Sequence, residues 1–278
     1  MTATVREALA EALRAGLERL DAQRLLAHHL RRPRSWVIAH DDAPLDALVR
    51  SRFADDVQQR ARGVPLAYLL GTREFHGLEL RVTPDVLVPR PDTETLVDWA
   101  LELLHGPLRE RAAPRVLDLG TGSGAIALAV AAGCPRADVR ATDASEPALA
   151  VARDNARRLG LAVRFEHGHW WRAVGDRRFD LALSNPPYIA AGDPHLDALQ
   201  HEPAAALVSG ADGLDAMREL VDGAPRHLSA GGWLLVEHGF DQAEAVARLL
   251  AQRGFTHVET RRDLAGQPRC TGARVPAG

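Results

Sequence analysis

From Pro91 onward, short apolar runs alternate with stretches of helical spacing, and no other feature limits the fold of this chain as tightly. Strands are expected at 115–119, 138–142, 162–166, 179–184, 231–237, 255–261 and 271–275, with helices between most of them. A crossover helix returns the chain so that successive strands run parallel, and the helices then cover both faces of the sheet. The fold class is therefore α/β: a doubly wound, mostly parallel, seven-stranded sheet. No clear helix separates the last two strands, so one of them is expected to run antiparallel. A helix over Thr93 to Leu104 opens this region, with Asp92 as its expected N-cap after Pro91.

The first of these strands, Arg115-Val116-Leu117-Asp118-Leu119, runs into Gly120-Thr121-Gly122-Ser123-Gly124 and then an apolar helix, Ala125 to Ala132. A glycine-rich turn between strand and helix lets the backbone approach a nucleotide-like ligand closely. The next strand ends in Asp143, about twenty residues on, where a carboxylate can accept from both hydroxyls of a ribose. Gly120, Gly122 and Ala125 also satisfy the dinucleotide pattern G-x-G-x-x-G/A. The glycines by themselves therefore fit a dehydrogenase as well, or a purely structural turn.

Asn185-Pro186-Pro187-Tyr188 narrows the choice. It follows the apolar run Phe179 to Leu183, at a strand end, where open α/β sheets place their chemistry. Neither proline carries an N–H, while the carbonyls of Asn185 and Pro186 can accept. With the Asn185 side-chain oxygen, the corner is rich in acceptors and poor in donors, which suits a planar NH2 group. Tyr188 adds a flat face for stacking. As a bare tetrapeptide it also reads as an ordinary turn.

Glycine loop, acidic strand end and Asn-Pro-Pro-Tyr, in that order, resemble the class I S-adenosylmethionine-dependent methyltransferases that act on amino or amide nitrogens. Val88-Pro89-Arg90-Pro91-Asp92-Thr93-Glu94, His201-Glu202-Pro203, Glu237-His238-Gly239 and the helical N-terminal region extend the resemblance over nearly the whole chain. Together they are most similar to the release-factor glutamine N5-methyltransferase family (PrmC/HemK type). Asn-Pro-Pro-Tyr is shared with adenine and guanine amino-methyltransferases; the Pro-Arg-Pro-Asp-Thr-Glu segment and the N-terminal helices point to the glutamine enzymes.

The resemblance implies methyl transfer from S-adenosyl-L-methionine, leaving S-adenosyl-L-homocysteine, to the side-chain amide nitrogen of the glutamine in the Gly-Gly-Gln loop of class I peptide chain release factors. Asn185, Pro186 and Tyr188 would be catalytic. Gly120, Thr121, Gly122, Ser123, Gly124, Asp143, His169, Trp170 and Asn185 would hold the cofactor. Asn185, Pro186, Pro187, Tyr188, Arg90 and Glu94 would hold the substrate. In the family the adenine contact after the third strand is usually Asp; here the place is taken by His169, followed by Trp170 and Trp171. A neutral His can accept a hydrogen bond at one nitrogen. Alternatively His169 faces solvent and a backbone carbonyl reads the adenine amine. Without the resemblance, Arg90 reads as a loop residue and Glu94 as a first-turn charge favoured by the helix dipole. The roles of Glu202 and Glu237 stay open.

Residues 1–75 read as helices. Val5, Leu9, Ala12, Leu13, Leu17 and Leu20 keep helical spacing, Asp21 to Leu30 continues it until Arg32-Pro33, and Leu45 to Ala61 forms a more polar helix. The expected organisation is a helical substrate-docking domain over 1–75, a hairpin linker over 76–90 and a methyltransferase domain over 91–278. A small bundle with a structural role alone is the other reading of the helices. Ala190 to Asp212 has no strong periodicity and is expected as a substrate-facing lid.

Composition bears on partners. The net charge is -3, and the 34 basic residues, all arginine, are spread evenly: 12 against 11 acids in the first 80 residues and 22 against 26 in the rest. A duplex nucleic-acid substrate usually calls for a basic surface, so the expected partner is a protein. The rival amino-methyltransferase of nucleic acids is disfavoured on that ground; a non-catalytic scaffold is disfavoured by the intact Asn185 and Asp143. No apolar run reaches membrane-spanning length, and Met1 to Ala12 has no signal-like apolar segment. Two cysteines form neither a staple framework nor a metal cluster. A cytoplasmic monomer without a metal is expected.

Overall fold

A computed structural model describes residues 3–277. The chain divides into two compact units at Thr72/Arg73. The N-terminal unit holds five helices: α1 (Val5–Arg14), α2 (Arg19–Leu30), α3 (Arg34–Ala39), α4 (Ala47–Ala61) and α5 (Leu66–Leu70). Thr4 caps α1 through a reciprocal box: its Oγ1 accepts from the Glu7 N–H at 3.3 Å, and Glu7 Oε2 accepts from the Thr4 N–H at 2.8 Å. Val5, Leu25, Leu26, Val37 and Phe53 form a common core. The continuous spacing from Val5 to Leu30 is broken, because Gly16 adopts φ 95° and ends the first helix. Helix α2 stops where Arg31 turns left-handed at φ 52°, two residues ahead of Pro33.

The second unit begins with a hairpin of β1 (Thr72–Phe75) and β2 (Leu78–Arg81), whose Phe75 and Leu80 are buried in its core. A 3-10 turn, Pro91–Thr93, leads directly into α6 (Glu94–His105). Asp92 therefore does not cap the helix. The Thr93 N–H bonds the Arg90 carbonyl instead, and the Asp92 carboxylate lies 3.3 Å from Arg269. The remaining elements are β3 (Arg115–Leu119), α7 (Ala125–Gly133), β4 (Asp138–Asp143), α8 (Glu146–Leu159), β5 (Arg164–His167), β6 (Phe179–Ser184), α9 (Asp215–His227), β7 (Leu228–Glu237), α10 (Ala243–Gln252), β8 (Thr256–Arg262) and β9 (Pro268–Arg274).

Seven of these strands form one sheet in the order β5-β4-β3-β6-β7-β9-β8. β9 is antiparallel to β7 and β8, and the other pairings are parallel. Alternation divides β3 between two cores: Val116 packs with Leu96 and Leu128 on one face, while Leu117 and Leu119 pack with Met217 and Leu220 on the other. The chain winds outward from β3 to β5, then restarts at β6 on the opposite side of β3. A crevice opens where the winding reverses, beyond the carboxyl ends of β3 and β6. Leu119 is in register with Ser184, so the glycine loop and Asn185 leave the sheet side by side. Among the described residues, no helix is long and apolar enough to cross a membrane.

Candidate active site

The glycine loop is pinned to β4. The Gly120 and Thr121 N–H groups both donate to the Thr142 carbonyl at 2.9 Å. The Gly122 N–H donates to Asp143 Oδ2 at 2.8 Å, and Asp143 Oδ1 accepts from the Ser145 N–H at 2.8 Å. Gly120 needs to be glycine twice over. Its φ is +74°, and a Cβ would stand 3.0 Å from the Trp170 ring. Asp118, inside the apolar β3, supports the loop from below. Its Oδ2 accepts from Thr121 Oγ1 at 2.6 Å and from the Ala127 N–H at 3.3 Å, while Oδ1 makes no hydrogen bond. Burial pushes the Asp118 carboxyl up to about 7, and the bonds from Thr121 and Ala127 oppose this only in part. Asp118 was not among the expected site residues, although a lone carboxylate in an apolar strand was a readable signal.

A cavity of about 660 Å³ occupies the crevice. Gly120, Thr121, Gly122, Ser123, Asp143, His169, Trp170, Asn185, Pro187, Arg90 and Thr93 all line it. The Asp85–Arg90 segment, residues 203–210 and Glu219 of α9 contribute further wall; Pro89, Arg90 and Pro203 belong to quoted motifs and 203–210 to the loop expected to face the substrate, whereas Glu219 was not singled out. Four expected residues are not part of the lining. Gly124 turns inward, where a Cβ would meet Leu128 and Ala152. Pro186 is buried. The Tyr188 phenol is largely buried near Glu237, and burial followed by the Glu237 charge pushes its proton affinity up. Its ring is thus not offered to the cavity for stacking. Glu94 is occupied elsewhere, since its Oε1 accepts from the His76 N–H at 3.0 Å in the hairpin turn.

His169 stands 3.2 Å from Glu219, nitrogen to carboxylate, with both side chains partly exposed. Trp170 starts a 3-10 turn, and it separates from its neighbour: Trp171 is buried and donates its indole N–H to the Leu220 carbonyl at 3.0 Å. Arg90 pairs with Glu202, which is buried and also accepts from the Val88 N–H at 3.0 Å. Glu202 thereby ties the 190–212 loop to the Val88–Arg90 segment.

Asn185 donates from Nδ2 to Thr93 Oγ1 at 3.2 Å. An amide that donates from nitrogen at one end presents its Oδ1 at the other. Behind Thr93 lies Glu237, fully buried at the end of β7. Burial pushes its carboxyl up to about 7, against the positive charge of Arg269 and the nearby Thr93 and Tyr188 hydroxyls. Glu237 Oε2 makes no hydrogen bond.

Residues 3–71 match the family described as the PrmC N-terminal domain, and residues 93–210 match the Methyltransferase small domain. A Bordetella pertussis relative named release factor glutamine methyltransferase is 52% identical over 260 residues, covering 92% of this chain and 95% of the relative. The chain belongs to the release factor glutamine methyltransferase family. A second member, from Xylella fastidiosa, is 50% identical and spans 97% of this chain and 98% of its own. Membership makes the chain a methyltransferase. Its fold is shared with T. thermophilus RsmC, a 16S rRNA methyltransferase solved with AdoMet and guanosine, at a TM-score of 0.54 and 21% identity, over 73% of this chain and 49% of that one. At that identity the likeness speaks to the fold alone.

Proposed function

We propose that this chain methylates the side-chain amide nitrogen of the glutamine in the Gly-Gly-Gln loop of peptide chain release factors, with S-adenosylmethionine as donor. The observation that carries this reading is the Asn185 amide, held at Nδ2 by Thr93 so that an acceptor, Oδ1, is left at the cavity wall. The relatives named above support the choice of a release-factor glutamine.

The residues present fit the cofactor. A cavity of about 660 Å³ is within the ~300–1,000 Å³ typical of small-ligand clefts. The backbone cradle at Gly120 would be filled by any Cβ. Each Asp143 oxygen takes one backbone N–H and keeps lone-pair capacity for a ribose hydroxyl. Gly120 to Ser123 would hold the amino-acid portion and Asp143 the ribose, with Trp170 and the His169–Glu219 pair near the base. Bound there, S-adenosylmethionine supplies a methyl group on a positively charged sulfur.

The protein's own task is orientation. An amide nitrogen is a poor nucleophile because its lone pair is shared with the carbonyl. Fixing its direction can contribute roughly 7–11 kcal/mol in favourable cases. In this reading Asn185 Oδ1 accepts one N–H of the substrate amide; the Pro186 carbonyl, expected as the second acceptor, is not part of the cavity wall. The Asn185 acceptor also opposes the positive charge that grows on nitrogen, and the proton is lost to water after transfer. The N-terminal unit would grip the release factor away from the reactive loop. Four of the six exposed large apolar side chains among the described residues, Leu13, Leu20, Ile38 and Leu48, belong to it.

Incubation of the full chain with S-adenosylmethionine and either release factor or a Gly-Gly-Gln peptide tests the function. The expected result is a gain of one methyl group on the glutamine, read by fragmentation mass spectrometry. Methylation of RNA or DNA in parallel reactions, with none of release factor, would reject it.

A further inference from the structure

Methyl transfer itself gives no task to two side chains that line the cavity, His169 and Glu219. Their place in the fold suggests one. β5 lies outside β4, with His167 in register with Asp143, and the Gly168 N–H donates to the Asp143 carbonyl at 2.9 Å. A nucleoside reaching from the glycine loop across Asp143 would extend its base toward Gly168, His169 and Trp170, all of which line the cavity. Glu219 comes to the same end from α9, its Oε1 3.2 Å from His169 Nδ1. The helix is firmly seated: Met217 and Leu220 are buried, and the Leu220 carbonyl accepts the Trp171 indole N–H at 3.0 Å. A Cβ on Gly223 would stand 2.2 Å from the Trp171 ring, so helix and turn pack too closely for any larger residue. The other carboxylates of the cavity wall are committed. Asp85 accepts from Thr83 Oγ1 at 3.0 Å, Asp143 from the Gly122 and Ser145 N–H groups at 2.8 Å, and Asp215 from Arg218 at 2.8 Å.

Resting on the reading of the cavity as a site for S-adenosylmethionine, we propose that Glu219, held by His169, accepts the 6-amino group of the cofactor's adenine and so determines which base the site takes. A carboxylate accepts and cannot donate. With Oε1 turned to His169, the second oxygen keeps its lone pairs for a ligand. A neutral imidazole whose Nδ1 faces a carboxylate carries its proton there, which leaves Nε2 as a further acceptor. Acceptors gathered at this end suit the NH2 of adenine. They oppose hypoxanthine, the same ring system with an oxygen at that carbon. Glu219 is thus a specificity-determining residue, and His169 positions it.

Calorimetry on the full chain with S-adenosylhomocysteine and its 6-oxo counterpart, S-inosylhomocysteine, tests this without turnover. The two ligands carry the same charges and differ only at the base, so the ratio of their Kd values cancels any general effect of charge at the cavity. The parent should bind the adenine form at least about tenfold more tightly. Glu219→Gln supplies an NH2 that can donate to the 6-oxygen and should narrow that preference by about tenfold. Glu219→Ala should weaken the adenine form by about tenfold while leaving the 6-oxo form within about threefold. Exposed ion pairs add little to stability, and both side chains of this pair are partly exposed, so unfolding midpoints should stay at the parent value. A Kd ratio in Glu219→Gln within about twofold of the parent's would overturn the proposal, as would equal weakening of both ligands in Glu219→Ala. A parent that binds neither ligand would remove the cofactor reading itself, and the assignment of Glu219 with it.

Discussion

Asn185 and Asp143 face the same cavity from the ends of β6 and β4, the two strands that flank β3, and replacing them should separate turnover from cofactor affinity. Asn185→Ala removes an acceptor aimed at the substrate, and it touches Thr93 rather than the glycine loop. By comparison with loss of one oxyanion donor, turnover should fall by about 3–4 kcal/mol, with cofactor Kd little changed in calorimetry. Equal turnover would remove Asn185 from the chemistry. Asp143→Ala strips a partner from the Gly122 and Ser145 N–H groups as well as from a ribose. Calorimetry should show cofactor Kd rising by about tenfold or more, roughly 1.4 kcal/mol or above, accompanied by a lower unfolding midpoint. Both residues were legible in the sequence because each closes a strand next to a recognisable motif. Thr93 was quoted within a motif, but its bond to Asn185 was not legible, because the two are 92 positions apart in sequence and meet only at the entry of α6.

At the scale of elements, the strands were read well because a buried parallel strand is a compact apolar run; 115–119 and 179–184 coincide with β3 and β6. Helix ends were read less well. Gly16 interrupts a spacing that continues across it, and Pro91 starts a 3-10 turn that moves Asp92 out of the capping position. The irregular 190–212 loop was read, from its lack of periodicity, as a substrate-facing lid, and residues 203–210 do line the cavity, but how the loop is fixed was not legible. Its attachment, the buried Glu202 between Arg90 and the Val88 N–H, depends on residues more than a hundred positions apart. Glu202→Ala should leave a buried N–H and a guanidinium without their partner, a cost of about 1–3 kcal/mol. Limited proteolysis should then cut within 190–212 faster than in the parent, while β-sheet signal by circular dichroism is kept. Identical cleavage rates would mean that the loop is held by something other than Glu202.

For the whole molecule, two buried carboxyls tie stability to pH, and the division into two units ties selectivity to architecture. Glu237 is pushed from an ordinary 4.5 up to about 7, so between those values the folded state keeps a proton that the unfolded chain has released. Its contribution is fully present below about 4.5 and is lost as pH rises through 7. Asp118 acts in the same direction from an ordinary 3.8. His238, held below its usual range by burial, works the other way, so the informative quantity is a difference between variants. Glu237→Gln should match the parent near pH 4.5 and exceed it by about 2–3 kcal/mol in denaturant titrations at pH 8. A constant difference across that range would show that Glu237 ionises freely. The second matter is why a transferase whose cofactor loop and acceptor corner both lie after Thr72 carries a separate helical unit at all. A single glutamine offers too little surface for an Asn-Pro-Pro-Tyr corner to tell one protein from another, so discrimination needs a second contact. The N-terminal unit has its own core and its own exposed Ile38 and Leu48. Deleting residues 1–72 should therefore depress methylation of intact release factor far more than methylation of a short Gly-Gly-Gln peptide, with cofactor affinity as a check that the remaining sheet is folded. If both substrates lose activity by one factor, the helical unit supports the catalytic unit's fold and plays no part in choosing the partner.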